Sequence, residues 1–273
     1  MVRRLYRPVP PLDRYVDCLW YIDDPAASYP RERALPTGTA ELVIDLSGNP
    51  MRVFSDDQDV EGQVVRNALV CGVHSKYFVL DTSVGTRVAG VHFRPGAGSL
   101  FLGAPGGELT NRHLALEDLW GAHARRLSQR MLEASSIDAL FSLLERTLLA
   151  CLTRSREPHP AVTYALRECG RDPSLVRIEE LQRTTGYSAK RFIELFRDGV
   201  GLTPKSYCRI RRFQAVIDSL TRGEQPRWAS VAVDGGYADQ SHLNRDFRAF
   251  AGVTPGSYRP VSADRPNHVA IES

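Results

Sequence analysis

The 273-residue sequence predicts an α+β protein with a β-rich N-terminal part and an all-α C-terminal part. Three observations favour this class. Runs of β-branched and aromatic residues lie between residues 15 and 93, and apolar residues at helical spacing follow them. The last third of the chain contains one two-helix pattern twice. A polar stretch with two prolines, 153–160, separates the two parts.

Six short runs are predicted to be strands because they are rich in β-branched and aromatic residues. Gly, Pro, Asp and Asn, which favour turns, separate these runs. Six or more short strands followed by helices indicate a small barrel or a sandwich of two sheets. The predicted strands are 15–22, 40–46, 51–54, 68–71, 77–81 and 87–93.

Two helices are predicted after the strands, at 114–132 and 137–152. In each, apolar residues recur every three or four positions and so share one face. Such a pair is either a dimerisation surface or a cover over the core of the N-terminal domain, and the sequence leaves both open. The apolar faces hold Leu116, Leu119, Trp120, Ala124 and Leu127 in the first helix, and Leu140, Leu143, Leu144, Thr147 and Leu148 in the second.

The C-terminal third contains an internal repeat. The pattern that runs from Gly186 to Tyr207 returns from Gly236 to Tyr258, with an offset of 50 at the Gly-Tyr pair and 51 afterwards. A repeat of this kind marks a duplicated structural unit. In each copy a short helix ends at a glycine, and a second helix with one apolar face begins a few residues later. This is the pattern of a helix-turn-helix, whose second helix can lie in the major groove of DNA.

The second copy carries a more specific pattern. It consists of Ala232, Gly236, Tyr237, Asp239, Gln240, Ser241, His242, Leu243, Arg245, Phe247 and Arg248, followed by Gly252, Val253, Thr254, Pro255, Tyr258 and Arg259. These residues resemble the signature of the AraC-type transcription regulators, and the resemblance covers residues 160–259. It implies two recognition helices on one rigid chain that bind double-stranded DNA sequence-specifically. Gln182 departs from the family pattern, which has a small residue there, and predicts more open packing of the first unit.

Polar residues on the second helix of each unit are the candidate DNA contacts. Arg suits guanine, Gln suits adenine, and Lys or Arg suits phosphate oxygens. Glu194 could instead pair with a neighbouring basic residue, and the second unit is the stronger candidate for base readout because Ile193 and Glu194 make the first less basic. The expected base contacts are Lys190, Arg191, Glu194, Gln240, Ser241, His242 and Arg245, and the expected phosphate contacts are Arg197, Lys205 and Arg248.

Positive charge is concentrated in the part of the chain that contains the repeat. Residues 158–260 hold 16 Lys and Arg against 11 Asp and Glu, a net charge of +5, whereas residues 1–157 hold 18 against 19. This distribution agrees with a nucleic-acid partner. The predicted organisation is a sensor or oligomerisation domain at 1–152, a linker at 153–160, a DNA-binding domain at 161–260 and a flexible tail at 261–273.

The N-terminal domain carries a second, less informative resemblance. AraC-type regulators commonly have a cupin-like effector-binding barrel in this position. The residues Gly90, Val91, His92, Phe93, Arg94, Pro95, Gly96 and Ala97, with Leu35, Pro36 and Gly38 and the run 41–45 before them, resemble an uncharacterised domain often fused to such regulators. The resemblance names no ligand. We interpret Arg94, Pro95 and Gly96 as a strand-to-helix corner rather than a ligand site.

The alternative function gives the N-terminal domain metal-sensing or enzymatic chemistry coupled to DNA binding. His74 and His92, with Glu41 or Asp45, are its candidate metal ligands. Closely spaced histidine pairs are absent from the sequence. A methyl-accepting repair sensor would need a cysteine cluster, and Cys18 and Cys71 are solitary. We therefore predict neither a metal nor another cofactor.

The remaining composition sets limits on location and partners. The five cysteines lack any C-x-x-C spacing, which argues against a disulfide framework or a thiolate metal site. The sequence contains no apolar run of membrane-spanning length, about 18 to 20 residues, and no signal-peptide pattern. A cytoplasmic location is expected. Besides DNA, a small-molecule effector, RNA polymerase and a second copy of the chain are candidate partners.

Overall fold

A computed structural model describes residues 1–25, 29–152, 157–221 and 227–271. The N-terminal part of the chain is built mainly from strands. Within the described residues the strands are β1 (Val2–Tyr6), β2 (Val16–Asp24), β3 (Arg31–Ala34), β4 (Glu41–Asp45), β5 (Met51–Phe54), β6 (Gln63–Val65), β7 (Ala68–Cys71), β8 (Phe78–Asp81), β9 (Thr86–Phe93), β10 (His113–Ala115) and β11 (His268–Ala270).

The strands form two antiparallel sheets. One has the order β1-β2-β9-β4-β7-β10 and the other the order β11-β3-β8-β5-β6. The predicted runs 51–54 and 68–71 coincide with β5 and β7, and the other four overlap β2, β4, β8 and β9. The α+β class is thus confirmed. Charged sequences such as VRRLY in β1 and RERA in β3 hid further strands, because arginines interrupt the apolar pattern in both and the buried residue Glu32 of β3 is itself charged.

The α-helices of the described residues lie in both parts of the chain, five of them before residue 153 and the others after residue 157. They are α1 (Gly98–Leu102), α2 (Gly106–Leu109), α3 (Leu116–Trp120), α4 (Ala122–Leu132), α5 (Ile137–Leu152), α6 (Pro160–Arg171), α7 (Ile178–Thr185), α8 (Ala189–Val200), α9 (Pro204–Leu220), α10 (Trp228–Asp234) and α11 (Gln240–Ala251). Of the predicted linker 153–160, residues 153–159 fall between α5 and α6, Pro160 begins α6, and residues 153–156 lie outside the described part of the chain.

The predicted helix 114–132 is wrong as a single element. Its first residues belong to β10, and Gly121 separates α3 from α4. Gly121 has φ +55, a conformation that glycine adopts without steric cost, so the chain turns there. The predicted helix 137–152 is confirmed as α5. Its buried residues Leu140, Leu144 and Leu148 join the main core, and the ring of Phe141 stacks on Tyr6 of β1 at 5.7 Å. These contacts favour the interpretation of α5 as a cover for the sheet.

The predicted flexible tail 261–273 is wrong for the described residues 261–271. β11 pairs antiparallel with β3, so that His268 lies opposite Ala34 and Ala270 opposite Glu32. The guanidinium of Arg265 also pairs with the buried carboxylate of Glu32 at 2.5 Å. The sequence concealed this strand because it has only three residues and its partner lies near the other end of the chain. We call residues 261–271 the return segment, because they lead from the helical domain back to the sheets.

The two halves of the chain share one continuous core. At Gly106 and Gly201 the backbones approach so closely that a Cβ on Gly106 would lie 2.6 Å from the Gly201 nitrogen. The Ser99 hydroxyl donates to the Gly199 carbonyl at 3.2 Å, and the Gln214 amide of α9 donates to the Pro36 carbonyl at 2.8 Å. The helical domain is therefore held against the sheets by both packing and hydrogen bonds.

Two cysteines that are distant in sequence meet inside the helical domain. The Sγ atoms of Cys169 in α6 and Cys208 in α9 lie 2.8 Å apart, both buried and both free thiols. The hydrogen bond between them raises the pKa of Cys169, as does burial, and lowers the pKa of Cys208. Nothing in the cysteine spacing indicated this contact.

We predict that a two-electron oxidant such as diamide will join Cys169 and Cys208 as a disulfide while the diamide takes up both electrons and both protons. The treated protein should lose two of its five titratable thiols, and its free energy of unfolding should rise by about 3 kcal/mol. Thiol titration under denaturing conditions checks the first result and urea unfolding the second. The matched variant Cys169→Ala should lose no pair of thiols, and an unchanged thiol count in the wild type would contradict the prediction.

Candidate DNA interface

Two helix pairs in the C-terminal domain have the same local construction. α7 with α8 forms the first unit and α10 with α11 the second. α8 and α11 each have 12 residues and begin 51 positions apart, as the repeat predicts. Each begins at a capping side chain, because the Ser188 hydroxyl accepts from the Arg191 N–H at 3.3 Å and the Asp239 carboxylate accepts from the His242 N–H at 2.7 Å.

The turn of each unit depends on a glycine. Gly186 has φ +74 and Gly236 has φ +71, a backbone conformation that glycine adopts without steric cost. A Cβ on Gly236 would also lie 2.5 Å from the Cβ of Ser174. Ala232 is fully buried at the helix contact of the second unit. Gln182, at the equivalent position of the first unit, is partly exposed, and its amide donates to the Tyr187 carbonyl.

The long helix α9 joins the two units. It begins at Pro204, and the Thr203 hydroxyl caps it by accepting from the Ser206 N–H at 3.2 Å. The ring of Tyr207 near its start packs on Phe196 of α8 at 5.8 Å. The ring of Phe213, farther along, packs on Phe247 and Phe250 of α11 at 5.1 and 5.2 Å. α9 thus fixes α8 and α11 relative to one another.

Two arginines of α9, Arg209 and Arg212, bind residues of the second unit and stabilise its position. The Arg209 guanidinium lies 2.6 Å from the carboxylate of Asp246, which is 3% exposed. The hydrogen bond that Arg209 donates to the Asp246 carboxylate raises the pKa of Arg209. Arg212 donates to the Gly236 carbonyl at 3.0 Å and lies over the ring of Tyr237. These side chains are therefore engaged in holding α11 in place.

The bracing role of Arg209 has a signal in the sequence of α11. Asp246 falls on the same helical stripe as Leu243, Phe247 and Phe250, all of which are buried. A carboxylate on a buried stripe needs a cationic or hydrogen-bonding partner, since burial of an unpaired charge is costly. An arginine of the helix packed against α11 satisfies that need.

Most of the predicted DNA contacts project from the two helices into solvent. The predicted contacts exposed on α8 are Lys190, Arg191, Glu194 and Arg197, and those exposed on α11 are Gln240, Ser241, Arg245 and Arg248. Lys205 is exposed at the start of α9. Glu194 pairs with Arg191 at 3.5 Å, which is the ionic interaction considered from the sequence. Within the described residues, neither Lys190 nor Arg245 forms an ion pair. Both cations are thus available to an external ligand.

His242 differs from the other candidate base contacts because it is only partly exposed. Its ring lies edge-on to Tyr237 with the centroids 5.2 Å apart, and its Nε2 is 3.9 Å from the Asp246 carboxylate. The imidazole is therefore directed toward the packed side of α11. Its contact with a base remains a prediction.

The candidate metal ligands in the sheets are only partly brought together. Glu41 of β4 and His92 of β9 form a direct ion pair. Burial disfavours the charged form of each group, but the charge and hydrogen bond of the partner outweigh burial, so that the pKa of Glu41 is lowered and that of His92 is raised. His74 instead packs against Phe78 and His113, and burial lowers its pKa to about 3. Asp45 accepts hydrogen bonds from Ser47 and Gly48. Across the described ranges, no group of three or more His, Cys, Asp or Glu residues is arranged to hold a metal ion.

The N-terminal domain also contains the predicted strand-to-helix corner and a cavity. Arg94, Pro95 and Gly96 form the expected corner between β9 and α1, where the Arg94 Nε donates to the Asp13 carbonyl at 2.7 Å. A cavity of about 300 Å³ lies between the two sheets and the return segment.

Among the helices of the described chain, none has the length and apolar character of a membrane span.

The paired units and their shared helix define a double helix-turn-helix domain, a class of DNA-binding domain. Comparison with protein families agrees. Residues 181–260 match a family described as a helix-turn-helix domain, and residues 4–115 match one described as a domain of unknown function (DUF6597). Residues 181–260 thus carry a helix-turn-helix domain of the AraC type that the sequence resembles, and the chain is similar to a protein described as an HTH-type transcriptional regulator.

One curated relative and several solved structures are similar to this chain. An uncharacterized HTH-type transcriptional regulator of Haemophilus influenzae is 23% identical over 135 residues, which span 46% of this chain and 45% of that protein. Two structures of ToxT from Vibrio cholerae, each 12% identical, give TM-scores of 0.48 and 0.49 and cover 88% of this chain and 97% and 96% of theirs. A fatty-acid-bound ToxT is 10% identical with a TM-score of 0.45, covering 88% of this chain and 94% of its own.

Proposed function

We propose that this protein is a transcription regulator that binds duplex DNA sequence-specifically through α8 and α11. The observation that carries this function is the arrangement of two equally long, capped helices on α9, each with its apolar face buried and its polar face exposed. The N-terminal turn of each helix also has backbone N–H groups without an intrahelical partner, which suit phosphate oxygens. One protomer could thereby place two helices in neighbouring segments of the major groove.

The second unit is the main base-reading element in this proposal. Arg245 projects from α11 without an ionic partner among the described residues, and Gln240 and Ser241 are exposed beside it. In α8, by contrast, Arg191 is paired with Glu194 and Ile193 is exposed. Direct readout requires free donors and acceptors that reach base edges. We assign Lys190, Arg191, Glu194, Gln240, Ser241, His242 and Arg245 to bases, and Arg197, Lys205 and Arg248 to phosphates.

The N-terminal domain, 1–152, has a regulatory role in this proposal. Its cavity suits a small-molecule effector, and its contacts with Gly201 and Gln214 connect it physically to the DNA-binding domain, 161–260. We assign the chain no catalytic step. A second copy of the chain and RNA polymerase are the macromolecular partners expected of such a regulator, and its site of action is the cytoplasm, beside the chromosome.

Methylation interference on a mapped operator tests the bipartite mode of binding. We expect two clusters of interfering guanines on one face of the duplex, separated by about 34 Å, one helical turn. The reason is that α9 holds α8 and α11 in a fixed arrangement. Lys190→Ala should reduce the interference at the guanines contacted by α8. This reduction should be smaller than the one that Arg245→Ala causes at the guanines contacted by α11. A single cluster that persists in both variants would mean that only one unit enters the groove.

A further inference from the structure

The cavity between the sheets has a wall that comes from the far end of the chain. Trp20, Val43 and His92 line it from the first sheet, and Met51 and Leu80 from the second. The return segment supplies Arg265, Pro266, Asn267 and His268 to the same cavity. A molecule held there would contact the sensor domain and the segment that follows the second helix-turn-helix unit at the same time.

Three ion pairs lie in the cavity lining, whereas Arg52 and the carboxylates of Asp24, Asp45 and Asp81 have no ion pair among the described residues. Arg265 lies 2.5 Å from Glu32, Arg3 lies 2.5 Å from Asp264, and His92 contacts Glu41. The burial of Glu32 raises its pKa, but the hydrogen bonds and charges of His268 and Arg265 outweigh that effect and lower it. Acidic residues outnumber arginines in the lining, so the local field disfavours an anion. An anion would have to separate one of the three ion pairs or pair with Arg52, which is exposed to solvent.

The polar atoms that remain unpaired in the cavity lining include three hydrogen-bond donors. These are the Nε1 of Trp20 and the Nε atoms of Arg3 and Arg265, each buried and without a partner among the described residues. Trp20 is 8% exposed, and its ring lies flat over Gly90, where a Cβ would come within 2.4 Å of it. Unpaired N–H donors favour an acceptor and disfavour a cation. Apolar side chains such as Val43 and Leu80 make up much of the remaining wall.

The return segment is tied to the second helix-turn-helix unit by side-chain contacts. The Tyr258 hydroxyl donates to the Pro266 carbonyl at 2.5 Å, and the Tyr258 ring packs edge-on against Phe247 of α11 at 5.7 Å. The Gln214 amide of α9 donates to the Asn267 side chain at 2.8 Å. A displacement of the cavity wall at Pro266 and Asn267 would therefore act directly on the support of α11.

We propose that the cavity binds an uncharged, mainly apolar molecule that carries hydrogen-bond acceptors, and that the return segment couples its occupancy to the position of α11. The coupling rests on the DNA-binding function proposed above, whereas ligand binding does not. Because coupling free energies are reciprocal, a ligand that alters affinity for DNA must have its own affinity altered by DNA to the same extent.

Two isomeric probes test the ligand class on the full-length protein. Butyl benzoate is a neutral ester, and 4-butylbenzoate is a carboxylate with the same heavy atoms. Isothermal titration should show saturable one-to-one binding of the ester and at least tenfold weaker binding of the carboxylate. Equal affinities, tighter binding of the carboxylate, or no binding of either probe would overturn the assignment.

Matched variants place the bound probe in the cavity. Trp20→Phe retains the aromatic body but removes the donor, and it should weaken ester binding about 2- to 12-fold, as expected for one hydrogen bond. Val43→Phe should abolish binding by filling the space. The same substitution at Val60, which is 78% exposed and outside the cavity lining, should have no effect. Ester binding that survives Val43→Phe would place the probe elsewhere.

DNA titrations with and without saturating butyl benzoate test the coupling. Affinity for the mapped operator should change at least fivefold in the wild type and by a smaller factor in Tyr258→Phe, which still binds the ester but lacks the hydrogen bond to Pro266. An unchanged wild-type affinity would overturn the coupling while the ligand site stands. If the protein did not bind duplex DNA at all, the proposed function would fail, and the two isomeric probes would still decide the ligand class.

Discussion

The affinity of the full-length protein for duplex DNA should fall about fortyfold between 50 and 200 mM salt if three phosphates are neutralised, because each contact releases condensed counterions. The three exposed cations assigned to phosphates support this number, namely Arg197, Lys205 and Arg248. Fluorescence anisotropy of a labelled duplex over a salt series measures the slope directly.

Single substitutions show which cations are responsible for this salt dependence. Arg197→Ala and Arg248→Ala should each reduce the slope of log K against log salt by about 0.9. Arg130→Ala, an exposed arginine of α4 in the N-terminal domain, is the matched control and should leave the slope unchanged. An affinity that is the same at both salt concentrations would rule out phosphate contacts as the main source of binding.

The second large effect is expected at Arg245. Arg245→Ala should reduce the binding free energy on the preferred DNA site by about 1–3 kcal/mol and should weaken the preference for one base there. The reason is that a bidentate contact from arginine discriminates guanine from other bases. Arg248→Ala, one helical turn away, should weaken binding to preferred and random duplexes alike. Competition titrations with both duplexes measure the two effects.

The ratio of specific to random binding is the decisive quantity in that experiment. Arg245→Ala should lower it, and Arg248→Ala should leave it unchanged. Thermal unfolding of both variants should match the wild type, since both side chains are exposed on the surface of α11. If both variants lost affinity equally on both duplexes, the assignment of the two faces of α11 would be incorrect.

The helical domain could be predicted from its sequence in detail, because its interactions are local. The repeat located α8 and α11. The caps are contacts between residues three positions apart, made by Ser188 and Asp239, and the turns depend on the local backbone conformation of Gly186 and Gly236. Their chemistry is therefore visible in a short window of sequence.

The elements that escaped sequence reasoning depend on distant partners. β11 is a strand only because β3 is beside it, and Arg209 is a structural brace only because Asp246 is buried opposite. The cavity has the same origin, since its lining combines residues from both sheets with the return segment. Short-range periodicity carries no information about such pairings. It follows that the candidate base contacts could be proposed from sequence, whereas the ligand site could not.

The pairing of β11 with β3 also sets an order for folding during synthesis on the ribosome. β3 emerges early, but its second neighbour is not made until the whole helical domain has been translated. In the interval, one edge of the five-stranded sheet has open backbone donors and acceptors, which are sites for aggregation. A nascent or prematurely terminated chain would therefore expose this edge, and a chaperone that covers it would be of most use before residue 268 appears.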